Sequence, residues 1–117
     1  MRYTDHVLAS LIRTLKAGKH ADTALLFVSD HGESLGEDGL YLHGAPYLIA
    51  PDEQKTVPMV MWFSDGFVRD YGVPEARLRE RAKTDDVTHE HLFSTVLGLL
   101  KVKSAAARAA FDLTADK

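Results

Sequence analysis

Apolar residues recur at the helical period over residues 4–16. Val7, Leu8, Leu11, Ile12 and Leu15 share one stripe, which predicts an amphipathic helix. Arg13 and Lys16 lie toward its C-terminal end, where the helix dipole favours cations, and Gly18 is a natural stop. After a polar turn over 19–23, residues 24–28 (Ala-Leu-Leu-Phe-Val) form a continuous apolar run that suits a strand covered on both faces. A second such run covers 57–63, with Pro58 near its start and Trp62 near its end. Pro74 stands at the first position of a polar helix over 75–83, and Thr88 caps a helix over 89–100. The buried face of that last helix reads as Leu92, Phe93, Val96, Leu97 and Leu100. The Ala-rich tail from Ser104 has Phe111 and Leu113 with which to dock. Two strands flanked by helices predict an α/β fold with a mainly parallel sheet, in one unit without an internal linker.

Between the strands the pattern breaks. Gly32, Gly36, Gly39, Gly44, Pro46, Pro51 and Pro58 punctuate residues 29–58, which show no sustained period. Leu40, Tyr41, Leu42, Tyr47, Leu48 and Ile49 argue against disorder there, so a long, structured, functional loop is expected.

Composition narrows the chemistry. The 117 residues include 17 acidic and 14 basic side chains, a formal net charge of −3, which gives no electrostatic reason to expect nucleic acid as a partner. The chain has no cysteine, which excludes disulfides, thiolate nucleophiles and Cys-type zinc sites; a metal must be held by His, Asp or Glu. No run approaches the ~20 apolar residues of a membrane span. Arg2, Asp5, Arg13, Lys16 and Lys19 leave no signal-peptide core, so neither a span nor a signal is expected in this chain.

The informative segment is Val28-Ser29-Asp30-His31-Gly32-Glu33-Ser34-Leu35-Gly36. Open α/β sheets place ligands just past the carboxyl ends of their strands, where Asp30 and His31 stand. Carboxylate oxygen and imidazole nitrogen both bind zinc at about 2.0–2.2 Å. Adjacent residues of an extended strand point apart, so both reach one ion only if the chain turns sharply, which Gly32 would permit. His43 follows twelve positions after His31 and could return to the same site. Asp-His-Gly is also a short string, and a strand-end Asp often caps a turn. His6, His20, His89 and His91 have no partners at ligand spacing and read as surface or cap residues. Glu33, Glu37 and Asp38 read as loop solvation or turn formers.

The longer run from Phe27 to Tyr47, containing Ser29-Asp30-His31-Gly32-Glu33-Ser34 and Leu40-Tyr41-Leu42-His43-Gly44, resembles the C-terminal signature of lipid A phosphoethanolamine transferases. These belong to the alkaline phosphatase and sulfatase superfamily. Ala50-Pro51-Asp52-Glu53-Gln54-Lys55-Thr56-Val57-Pro58-Met59 and Trp62 continue the likeness. So do Tyr3-Thr4-Asp5, the stretch from His91 to Leu100, and Phe111-Asp112-Leu113. The resemblance implies a partial sulfatase-like sandwich and a zinc-dependent, two-step transfer. A threonine takes phosphoethanolamine from phosphatidylethanolamine, releasing diacylglycerol, and passes it to a lipid A phosphate. It makes Asp30 and His31 zinc ligands and puts His43 at a second metal or phosphoethanolamine position. For the intact family it implies an inner-membrane protein with a periplasmic catalytic domain, and resistance to cationic peptides such as polymyxin.

The departures are as informative. No segment here matches the family motifs that carry the threonine nucleophile, the acidic zinc ligand and a further histidine. The chain therefore reads as the C-terminal portion of such a catalytic domain, inactive alone. The alternatives are a non-catalytic remnant or metal-binding module, or a phosphatase or sulfatase of the same superfamily. Strands lacking their neighbours would leave open sheet edges, so self-association is expected.

Overall fold

A computed structural model describes residues 2–18, 21–84 and 86–116; His20 lies outside them. Helix α1 (Arg2–Ala17) is followed by strand β1 (Ala24–Val28). The short strands β2 (Ser34–Leu35) and β3 (Tyr41–Leu42) come next, then the one-turn helix α2 (Asp52–Lys55) and strand β4 (Met59–Phe63). Three helices complete the order: α3 (Asp65–Tyr71), α4 (Glu75–Arg81) and α5 (Glu90–Leu99). The expected helices and strands are present, with ends shifted by one or two residues. β4 starts after Pro58, which has no N–H for a ladder.

The sheets are smaller than expected. Among the described residues, β1 pairs with β4 in one two-stranded sheet, and β2 with β3 in another. The second pair is antiparallel, with Ser34 opposite Leu42 and Leu35 opposite Tyr41. The described residues therefore do not display the one mainly parallel sheet expected: they form two separate two-stranded sheets, and the β2–β3 pair is antiparallel because a tight loop joins its strands.

The chain divides into two compact units, residues 2–18 with 24–62, and residues 21–23 with 63–116. The division falls within β4, where no linker or change of composition marks it. In the first unit the apolar stripe of α1 is only half covered: Val7 and Leu11 remain exposed and no residue of the helix is buried.

The second unit has its own core of Phe67, Val73 and Leu99, against which Phe63, Val68, Tyr71 and Leu78 pack. Its α3 was absent from the periodicity. Ser64 starts it by accepting hydrogen bonds from the N–H of Phe67 at 3.2 Å and of Thr23 at 3.0 Å. Gly72 ends it in the left-handed conformation, φ 63°.

The buried face of α5 differs from the apolar stripe. His91, Ser94, Thr95 and Leu99 are buried, whereas Phe93 is 53% exposed and Leu100 is exposed as well. The returning tail explains the rotation. Ser94 Oγ accepts from Arg108 N–H at 3.0 Å, and Thr95 Oγ1 accepts from Leu113 N–H at 3.0 Å. Phe111 lies 5.3 Å from the His91 ring, and Leu113 is buried as expected of a docking residue. His91 is thus a buried residue and not a surface one: Thr88 N–H donates to its Nδ1 at 3.1 Å across the first turn. Thr88 therefore sits at the helix start without its hydroxyl capping it; the cap position is His89. His6 and His89 are exposed.

Candidate metal and phosphoryl site

The site occupies the first unit, where the chain leaves β1. Asp30 Oδ1 accepts from the His31 N–H at 3.1 Å, and Ser29 Oγ donates to the His31 carbonyl at 2.8 Å. These local bonds fold the segment so that the two adjacent side chains do not diverge: His31 Nε2 stands 3.8 Å from Asp30 Oδ2. His43 returns to the same place, its ring centroid 3.9 Å from that of His31 at an interplanar angle of 31°.

Hydrogen bonding decides which nitrogens are available. His31 Nδ1 lies 2.7 Å from the Gly32 carbonyl, which can only accept, so Nδ1 carries the proton and Nε2 keeps its lone pair. His43 Nδ1 lies 3.2 Å from Glu33 Oε2 and 3.3 Å from Oε1, and the same reasoning leaves His43 Nε2 available. Both imidazoles are oriented at Nδ1 by an acceptor, the outer-shell arrangement that metal-ligating histidines use. Asp30 is 88% exposed, His31 44% and His43 50%, so the donors face open space.

The donor set fits zinc in kind and in spacing. A tetrahedral ion about 2.0–2.1 Å from each donor separates neighbouring donors by roughly 3.4 Å, close to the Asp30–His31 spacing. Yet among the described residues no three His, Asp or Glu side chains are placed to hold one ion together. Asp30 and His31 present two donors side by side, and His43 is tied to Glu33.

Gly32 serves differently from the flexible turn expected of it. Its φ is not positive; what the position needs is the absence of a side chain. A Cβ there would lie 1.9 Å from the Glu53 carbonyl oxygen, because α2 presses against this backbone, and Gly32 N–H donates to the Gln54 carbonyl at 3.0 Å. Further along, Glu37 accepts from Leu35 N–H at 2.6 Å. Its own backbone N–H and that of Leu35 hold its carboxyl below the usual range.

Sequence reasoning missed Glu33 as the partner of His43, since ten residues separate them and no spacing rule joins them. It also missed Gln54, although Gln54 lies within a stretch that carried the resemblance.

The Sulfatase family profile matches residues 1–102. The chain belongs to the sulfatase family. Within it, the chain is 48% identical to phosphoethanolamine transferase EptA of Salmonella typhimurium over 95% of its length and 20% of that protein's. The soluble domain of lipooligosaccharide phosphoethanolamine transferase A from Neisseria meningitidis superposes with a TM-score of 0.88 at 44% identity, over 97% of this chain and 34% of that one. The integral membrane form of the same Neisseria protein gives a TM-score of 0.88 at 43% identity, over 96% and 21% respectively. The sulfatase-like fold follows from these likenesses. The chain spans about a fifth of the curated relative and a third of the solved soluble domain. No helix among the described residues is long and apolar enough to cross a membrane.

Proposed function

We propose that this chain is the metal-ligand portion of a zinc-dependent transferase that moves phosphoethanolamine from phosphatidylethanolamine to a lipid A phosphate. The observation that carries this reading is the Asp30–His31 pair, with the His31 proton held on Nδ1 and the His43 ring beside it. Its likeness to proteins named phosphoethanolamine transferases supports the substrate class. The location follows the same reading: an inner-membrane protein with its catalytic domain in the periplasm.

Asp30 and His31 would hold the zinc. When bound, the ion supplies a Lewis acid that favours a deprotonated nucleophile and offsets charge on the phosphoryl oxygens. The transfer takes two displacements. A threonine oxygen supplied outside these residues bonds to phosphorus, the bond to the glycerol oxygen breaks, and that oxygen takes up a proton as diacylglycerol leaves. A lipid A phosphate oxygen then bonds to phosphorus and the threonine–phosphorus bond breaks. His43, held at Nδ1 by Glu33, lines the place where the group in transit would sit.

The test is a chimera in which residues 1–117 replace the matching segment of the Neisseria transferase. The chimera is expected to add phosphoethanolamine to lipid A, read by mass spectrometry. A folded chimera that binds zinc and leaves lipid A unmodified would overturn the reading. Because β1 and β4 pair only with each other among the described residues, the same reading includes self-association of the isolated chain. Sedimentation is expected to give a mass that rises with concentration, and a constant monomer mass would count against it.

A further inference from the structure

We propose that the Gln54 side chain is a positioning residue: it clamps together the two limbs of the loop that bring His31 and His43 into contact. Its role as an aid to metal and phosphoryl chemistry rests on the function proposed above; its geometry does not. The two limbs, 29–35 and 41–46, are joined by a ladder of only two residue pairs, too short to be stable alone. Gln54 spans them from α2. Its Nε2 donates to Ser34 Oγ at 2.9 Å, on the limb that carries Asp30 and His31. Its Oε1 accepts from Ala45 N–H at 3.3 Å, two residues beyond His43.

Ser34 is 1% exposed, so its hydroxyl has little water to fall back on when Gln54 is removed. The Gln54 carbonyl adds a third tie, to Gly32 N–H, which any side-chain substitution leaves in place. The side chain is therefore the separable part of the clamp. A carboxylate keeps both contacts, since Ser34 can reverse its hydroxyl and donate while Ala45 N–H still donates. An alanine keeps neither.

The experiment compares the full 117-residue chain with Gln54→Ala, Gln54→Glu and, as a control for general destabilisation, Thr95→Ala. Thr95 is fully buried in the other unit, accepting from Leu113 N–H, and its loss strands that donor. The readouts are the nuclear Overhauser cross-peaks between the His31 and His43 rings and the hydrogen-exchange rate of the Ala45 amide. The unmodified chain is expected to show the cross-peaks. Gln54→Ala is expected to lose them and to exchange Ala45 roughly tenfold faster. Gln54→Glu is expected to keep both near the original values, and Thr95→Ala to lower the melting temperature with the cross-peaks intact. Cross-peaks that survive in Gln54→Ala, that vanish equally in Thr95→Ala, or that are absent from the unmodified chain would each overturn the proposal. An unmodified chain that shows the clamp signature but binds no zinc would count against the proposed function and leave the clamp standing.

Discussion

Gly32→Ala is expected to destabilise the first unit by on the order of 3 kcal/mol and to detach α2 from the Asp30–His31 segment. The methyl carbon would sit 1.9 Å from the Glu53 carbonyl oxygen, with the Glu53 carbonyl carbon at 2.9 Å and that of Gln54 at 3.1 Å. All three are backbone atoms, so no side-chain rotation relieves the overlap. The helix must move, taking the Gln54 carbonyl away from Gly32 N–H. Gly39 offers the contrast. It has φ +75° and nothing within 4 Å of its would-be Cβ, so alanine there costs only backbone strain, about 1 kcal/mol. Urea denaturation of the two variants side by side checks this: a Gly32→Ala loss no greater than that of Gly39→Ala would show that α2 does not press on this backbone.

That difference between two glycines was not legible in the sequence, where both read as loop punctuation. What was legible is local. The helical stripe of α1, the apolar runs of β1 and β4 and the helix α5 follow from period and composition, and Asp30 and His31 stand out by their place after a strand. The helix α3 was readable in principle from Ser64 and Gly72, but its two turns are too short for a period to emerge. The face of α5 was not readable, because hydroxyls of Ser94 and Thr95 bond to a tail more than a dozen residues on. The site shows the same limit. The pairing of His43 with Glu33, and of Gln54 with Ser34 and Ala45, depends on how the loop closes. Residues without period or motif spacing meet there.

The second large effect concerns the metal. The chain is expected to bind zinc with a stoichiometry near one ion, and Asp30→Ala/His31→Ala is expected to abolish that binding. On the proposed reading these two side chains supply both ligands. Removing them leaves His43 without its neighbouring donors and with its Nδ1 tied to Glu33, and a lone imidazole is far short of the four-coordinate norm. Affinity is expected to be weaker than that of a complete four-ligand site, because two positions are left to water.

Calorimetric titration of zinc into the purified chain and into the double variant therefore tests the central claim most directly. Binding near one ion per chain, lost in the variant, is the predicted result. Absence of binding, or binding that the variant leaves unchanged, would contradict the assignment of Asp30 and His31 as ligands and reduce the sulfatase kinship to ancestry.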